Sequence, residues 1–274
     1  MSSAPKSSAP LKIGIVGCAG RMGRMLVQEV LATPGCALVG GTEPIGPTVG
    51  SDIGLLVGPK AIGLHVTSDA GALFAAADAV IDFTVPAATL HHASLAARNG
   101  KILIAGTTGL DADIIAALRT AGQKTAVVFA PNFSIGVNVM FALTEKIAAT
   151  LGAEYDLDIL EMHHRHKVDA PSGTALGLGE AAARGRNVTL SDVWRKSRDG
   201  QVGPRKVGEI GFATLRGGDV VGDHTVMFAA DGERVELTHK ASSRGVFAKG
   251  AVRAALWASG RGPGFYSMRD VLGM

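Results

Sequence analysis

The sequence predicts an α/β protein: a doubly wound parallel sheet covered by helices, followed by a second domain of α+β type. Three observations predict it. From Leu11 to Asn132, short β-branched apolar runs alternate with helical stretches, and strands that are apolar throughout belong to parallel sheets buried on both faces. After Asn132 the pattern changes to one long helix and then strand-like runs. The 274 residues also exceed the usual single-domain size of roughly 100 to 150, so two joined domains are expected.

Leu11 to Val16 reads as the first strand. It ends in the turn GCAGRMG, after which RMLVQEVLA, Arg24 to Ala32, carries apolar residues at helical spacing. CALVGGTE and AVIDFT are the next strands, and Pro86 starts a helix that Gly100 stops. KILIAGTTG, the helical DADIIAALRTAGQ and the strand TAVVFAP continue the alternation. Ile135 to Leu151 is helical and leads into the strand YDLDILEMHH. IGFATLR, DVVGDHTVMFAADG and ERVELTHKA then read as three antiparallel neighbours, with a turn at Asp231 and Gly232. The closing VFAKGAVRAALWASG is helical and is expected to return to the first domain. The boundaries therefore read 1–133 with 245–274 for the first domain and 134–244 for the second.

Composition excludes several classes. The net charge of +3 is too small to steer the chain onto nucleic acid or a membrane. No run approaches about 18 consecutive apolar residues. The opening MSSAPKSSAP lacks an apolar core of signal-peptide length and reads as a disordered tail. Cys18 and Cys36 are too few for a disulfide framework or a thiolate metal site, which favours the cytoplasm.

In GCAGRMG the glycines at 17, 20 and 23 stand between strand and helix, where backbone must approach a pyrophosphate and helix-start amides bind it. Glu43 ends the next strand at the distance expected of a carboxylate that binds the adenosine ribose. That carboxylate repels the 2′-phosphate of NADP, and Pro44 follows it where an arginine would neutralise the phosphate. NADH is therefore the favoured cofactor, with NADPH possible. The turns carrying Gly106, Thr107 and Thr108, and Ala130, Pro131, Asn132 and Phe133, fall where strand ends gather and are candidates for the nicotinamide half.

The stretch EMHHRHKVDAPSGTA puts three histidines beside Arg165 and Lys167. A metal fits poorly, because His164 and His166 would need a third or fourth ligand, Arg165 and Lys167 put cations directly beside the ion, the remaining histidines are scattered and both cysteines lie far away in the chain, so no metal is expected. Ser172 reads as a helix N-cap, with Gly173 and Thr174 offering amides to an anion. A histidine supplies a proton near neutral pH. Proton donor and anion clamp in a dinucleotide-binding chain describe a reductase of a small acidic substrate. Another two-domain NAD(P)-dependent oxidoreductase is the alternative enzyme, and a non-catalytic NADH-sensing protein the alternative outside enzymes. The basic residues Arg195, Lys196, Arg198, Arg205 and Lys206 read as a solvated loop, and His91 and His92 as exposed or core histidines.

GCAGRMG, DFTVP, GTTG, APNFSIGVNV, HHRHKVDAPSGTA, IGFATLRGGDVVGDHTVMF and THKASSR together resemble the dihydrodipicolinate reductase (4-hydroxy-tetrahydrodipicolinate reductase) family of the diaminopimelate route to lysine. The resemblance implies a Rossmann-like cofactor domain completed by the C-terminal helix, and a substrate-binding and oligomerisation domain whose open mixed sheet builds a homotetramer. It implies reduction of 4-hydroxy-tetrahydrodipicolinate, a small dicarboxylate, by NAD(P)H. It makes His163 the proton donor or acceptor and Lys167 a second donor, with His164, Gly173 and Thr174 holding carboxylates. Gly17, Cys18, Ala19, Gly20, Arg21, Met22 and Glu43 match cofactor positions, as do Gly106 to Thr108 and Ala130 to Phe133. The sequence departs at Pro44 and Val85, where some relatives place arginines near the adenosine phosphate.

Overall fold

In β1 (Leu11–Val16), every residue from Ile13 to Val16 is buried whichever face it points to, the condition of a central strand covered on both sides. The computed structural model describes residues 9–274; the first eight residues of the expected tail lie outside the described residues. α1 (Arg21–Ala32) begins at Arg21 rather than Arg24, so Gly23 lies in its first turn. A Cβ on Gly23 would strike the Gly17 carbonyl and the Cys18 backbone, so this glycine permits close packing of helix on strand. The helix buries Gly23, Leu26, Val27 and Val30, one stripe of a helical surface.

β2 (Cys36–Thr42), α2 (Ile53–Val57), β3 (Val66–Thr67), α3 (Ala70–Ala76) and β4 (Ala79–Asp82) follow. Then come α4 (Pro86–Asn99), β5 (Ile102–Ala105), α5 (Ala112–Gly122) and β6 (Ala126–Phe129). Asp52, Asp69 and Asp111 cap α2, α3 and α5 by accepting the N–H of Gly54, Ala72 and Ile114. Gly100 closes α4 in the left-handed region at φ 61°.

The next unit contains α6 (Ile135–Leu151), β7 (Asp156–His163), α7 (Gly173–Gly185), α8 (Leu190–Val193) and β8 (Trp194–Arg195). It continues with β9 (Ile210–Arg216), β10 (Gly222–Ala230) and β11 (Glu233–Ala241). The chain ends in α9 (Gly245–Ala258), β12 (Gly264–Tyr266) and α10 (Met268–Leu272). The first unit comprises the residues up to Ser134 together with Gly245–Met274, and the second Ile135–Arg244.

In the first unit a parallel seven-stranded sheet runs β12-β6-β5-β4-β1-β2-β3. Its core includes Ile13, Ile15, Val80, Ile81, Leu103, Ile104, Val127 and Val128, all buried. α9 packs against α1, and Gly250 lets it rest on the Phe133 carbonyl, which a Cβ would strike.

The second unit holds a mixed sheet in the order β11-β10-β7-β9-β8. β10 and β11 form the expected antiparallel hairpin, with Gly232 at φ 87° in its turn. β9 is not the neighbour of β10: β7 lies between them, parallel to β9 and antiparallel to β10. The reason lies in β7 itself, which from Leu157 to His163 alternates buried with half-buried residues and has none exposed, so it is enclosed on both faces and its backbone groups need ladder partners on both edges. The link 217–221 crosses the end of β7, where Gly217 N–H donates to the His163 carbonyl at 2.9 Å and His164 N–H donates to the Val220 carbonyl at 2.7 Å.

The basic loop is not simply solvated. Arg198 donates to Asp158 at 2.9 Å and Glu209 at 2.6 Å, and Arg205 binds Asp158, Asp156 and the Leu157 carbonyl. Carboxylates at the start of β7 and beside β9 draw these guanidiniums in, at the opposite end of β7 from His163.

Candidate active site

The parallel register brings Val16, Thr42, Asp82, Ala105 and Phe129 level. Gly17, Glu43, Gly106 and Ala130 therefore all leave the sheet at its C-terminal edge. The strand order reverses between β1 and β4, the position where doubly wound sheets take ligands. Gly17 has φ 70°, and a Cβ there would lie 2.8 Å from Thr84 Cγ2, so only glycine fits. Gly20 precedes α1, whose first amides, on Arg21, Met22 and Gly23, lack intrahelical acceptors by the geometry of a helix start. Glu43 Oε1 accepts the Ala19 N–H at 2.6 Å, which fixes the carboxylate beside the turn. These residues fit a pyrophosphate and its ribose: a backbone cradle that a Cβ would fill, with an acceptor at its side. The Cys18 thiol is buried, and burial together with the Glu43 carboxylate pushes it up to about 11, so it packs rather than reacts.

The other candidates on this edge sit among buried hydrogen bonds and packed rings. Thr107 is buried; its hydroxyl accepts from Thr89 at 2.8 Å and lies 3.3 Å from Asp82 Oδ1. Asp82 is itself fully buried and accepts from Thr84 N–H at 2.9 Å and Oγ1 at 2.6 Å, with His92 Nδ1 at 2.8 Å. Burial raises the Asp82 carboxyl, but His92 and Thr84 outweigh it and hold the group below the usual carboxylate range. His92 is thus a satisfied core histidine, while His91 is exposed. Gly106 lies against the Phe83 ring, which also packs on buried Phe133 at 5.4 Å. Asn132 Oδ1 accepts the Ser134 N–H at 2.8 Å, Ala130 is buried, and Thr108 and Pro131 are exposed.

In the second unit the chemistry gathers at the C-terminal end of β7. His163 is 8% exposed and Glu161 only 1%, and strand alternation sets both on the same face. Register places Arg216 beside His163 on β9 and His224 beside Glu161 on β10. Glu161 Oε2 meets His163 Nδ1 at 2.5 Å and Arg216 Nη1 at 2.9 Å; Oε1 accepts from Arg216 Nη2 at 3.0 Å and the Ser172 N–H at 3.1 Å. Burial alone would raise the Glu161 carboxyl, yet His163, Arg216 and the Ser172 amide bring it down to about 2.

Ser172 caps α7, its hydroxyl accepting the Ala175 N–H at 3.1 Å with His224 Nε2 at 3.2 Å. Its side chain is turned inward, so the part of this helix start that faces outward is Gly173, where a Cβ would meet open space, followed by Thr174. Burial, then the nearby His163, lowers His224 to about 4 and keeps it neutral. Lys167 Nζ donates to both oxygens of Asp169, at 2.7 and 2.9 Å. His164 is also lowered, by desolvation and then by Arg244 and its cationic neighbours. Among the described residues no group of three or more His, Cys, Asp or Glu side chains is arranged to hold a metal ion.

Sequence reasoning missed Glu161, Arg216, His224 and Asp82. A signal for Glu161 was present: in DLDILEMH it continues the inward phase of Leu157 and Ile159, and a carboxylate in that phase demands partners. Arg216 and His224 needed the sheet order, which local pattern does not carry.

A doubly wound sheet with a glycine turn at its switch point, in a chain whose second unit bears clustered ionisable groups, defines an NAD(P)-dependent oxidoreductase. The family models for the N-terminus and the C-terminus of dihydrodipicolinate reductase match residues 11–133 and 136–272. The chain belongs to the dihydrodipicolinate reductase family, as its motifs led us to expect. It is 54% identical over 263 residues to the 4-hydroxy-tetrahydrodipicolinate reductase of Dinoroseobacter shibae, covering 96% of this chain and 98% of the relative. The enzyme of that name from Magnetococcus marinus is 52% identical over 264 residues, with 96% and 98% covered. Among solved structures, a dipicolinate-bound dihydrodipicolinate reductase from Paenisporosarcina sp. TG-14 superposes with a TM-score of 0.74 at 22% identity, covering 94% of this chain and 97% of that one; it bears on the fold.

Proposed function

We propose that the chain reduces 4-hydroxy-tetrahydrodipicolinate to tetrahydrodipicolinate in the diaminopimelate route to lysine, with His163 as the proton donor and NADH as the favoured cofactor. The observation that carries the reading is the gathering of an imidazole, an ammonium and a helix N-terminus at the end of β7, in a chain of this family.

The nicotinamide, when bound, supplies the hydride to ring C4 of the unsaturated imine formed by loss of water. Gly17, Gly20 and the first amides of α1 hold the pyrophosphate, and the Glu43 carboxylate, already placed by Ala19, accepts from the ribose hydroxyls. Ala19, Arg21, Met22, Gly106, Thr108, Ala130, Pro131 and Asn132 line the cofactor, while Cys18, Thr107 and Phe133 support its turns from within the core. Hydride addition pushes electron density onto the carbon next to C4, and His163 protonates that carbon. His164, Gly173 and Thr174 receive the substrate carboxylates; Ser172 holds the helix start that presents these amides, and Lys167 neutralises a carboxylate and serves as a second donor. On this reading the unit at 134–244 binds substrate and the unit at 1–133 with 245–274 binds the dinucleotide; the resemblance to the family supports assembly through 134–244 as a homotetramer, in the cytoplasm. Light scattering at micromolar protein tests the assembly, and a monomer contradicts it.

Cofactor choice is tested by kcat/KM with each nucleotide and enzymatically generated substrate. Because Glu43 brings a carboxylate to the ribose end of the cradle and is followed by Pro44 rather than an arginine, NADH is expected to be the better donor. A preference for NADPH of about tenfold, or 1.4 kcal/mol, contradicts it.

A further inference from the structure

Glu161 is acceptor-only and fully committed: four donors, His163 Nδ1, both Arg216 nitrogens and the Ser172 amide, converge on its two oxygens at 2.5 to 3.1 Å. We infer that Glu161, with Arg216, is a positioning residue that keeps the Nδ1 of His163 protonated and so makes Nε2 the nitrogen that passes the proton to substrate. This rests on the role of His163 proposed above and names the atom and the group behind it.

An ionised carboxylate cannot donate, so the short contact to Nδ1 requires the proton on the histidine, whether the ring is neutral or charged. Arg216 and the Ser172 amide keep the carboxylate ionised against its burial. Nε2 is then the nitrogen free to gain and lose a proton. Gly222 serves the same end: a Cβ there would stand 3.0 Å from Nε2, so glycine keeps that side of the ring clear. Arg216 also donates to the Asp169 carbonyl at 2.6 Å, which ties Glu161 to the segment carrying Lys167. Among the described residues, the charged and titratable groups near the His163 ring include Glu161 on its own strand, Arg216 on β9, His224 on β10, and His164 and Lys167 on the segment that follows, where Asp169 pairs with Lys167. His224, edge-on to the ring at 5.1 Å, is neutral and adds no positive charge.

The test compares wild type, Glu161→Gln and Glu161→Asp by kcat across pH and by NADH affinity. Glu161→Gln keeps the shape and removes the charge that favours the imidazolium, and it leaves Arg216 uncompensated, which acts in the same direction. Its kcat is expected to fall about tenfold or more, with the alkaline limb of the pH profile displaced to lower pH and NADH affinity unchanged. Glu161→Asp retains the charge and is expected to keep the wild-type limb. Wild-type kcat and limb in Glu161→Gln overturn the inference while leaving His163 as proton donor; a wild-type enzyme without turnover overturns the proposed function and this inference with it. Should Glu161→Gln fail to fold, ¹⁵N spectra of histidine-labelled wild type, with His163 assigned by its loss in His163→Gln, give the answer. Neutral His163 is expected as the Nδ1–H tautomer, and an Nε2–H tautomer overturns the inference.

Discussion

His163 and Lys167 differ in what holds them. The imidazole is locked by a buried carboxylate, whereas Lys167 pairs with Asp169, whose side chain is 55% exposed. A pair open to solvent is worth at most about 1 kcal/mol, so Asp169 is a counter-ion that an arriving carboxylate can rival. Lys167→Ala is therefore expected to leave the melting temperature within a few degrees of wild type and to lower kcat/KM for substrate by about tenfold or more. A value within threefold of wild type removes Lys167 from the proposed role. Asp82 belongs to the opposite category. Asp82→Ala leaves the donors of Thr84 and His92 without their buried acceptor, which costs about 1–3 kcal/mol for each unsatisfied group, so it is expected to lower stability by at least that order in urea unfolding. A loss below about 1 kcal/mol would show that the Asp82 and His92 network does not hold the turns it joins.

The strand, turn and helix at the start of the chain were legible element by element, because glycine spacing, apolar runs and helix caps are local signals. Pro86 and Gly100 bounded α4 for the same reason. What local pattern did not carry was Gly23, which lies inside α1 as its contact with the Gly17 carbonyl and not as part of the turn. Gly23→Ala is expected to force α1 away from β1, lowering both thermal stability and NADH affinity; unchanged affinity by fluorescence titration would contradict the cradle described at this turn. The second sheet was less legible. The β10 and β11 hairpin follows from a turn, but the insertion of β7 between β9 and β10 depends on partners far apart in sequence. Arg216 and His224 reach the histidine stretch only through that insertion, which is why His163 and Lys167 emerged from the sequence while the groups that orient His163 did not.

For the molecule as a whole, the shifted groups point to lability in acid. His224 titrates at 6.5 when unfolded but at about 4 when folded, so the unfolded chain binds the extra proton between those values. Its contribution is full above about 6.5 and is lost as pH falls toward 4, on the order of 3 kcal/mol. Glu161 and Asp82 have lowered folded values, so the stability they add is present above the ordinary carboxylate range and vanishes as pH falls through their folded values, about 2 for Glu161. Trp194 lies in the second unit and Trp257 in the first, so Trp257→Phe leaves a probe of the unit that holds His224. In that background stability should decline below pH 6.5, and His224→Asn should flatten the slope between 6.5 and 4. An unchanged slope would contradict the neutral, buried state of His224.

The central claim is that His163 protonates a substrate reduced by the bound dinucleotide. Its most direct test follows NADH oxidation by wild type and His163→Gln with enzymatically generated 4-hydroxy-tetrahydrodipicolinate, alongside NADH affinity for each. Wild type should consume NADH only when substrate is present, while His163→Gln binds NADH equally well and turns over about 10²- to 10⁴-fold more slowly. Substrate-independent oxidation by wild type, or a wild-type rate in His163→Gln, would contradict the account.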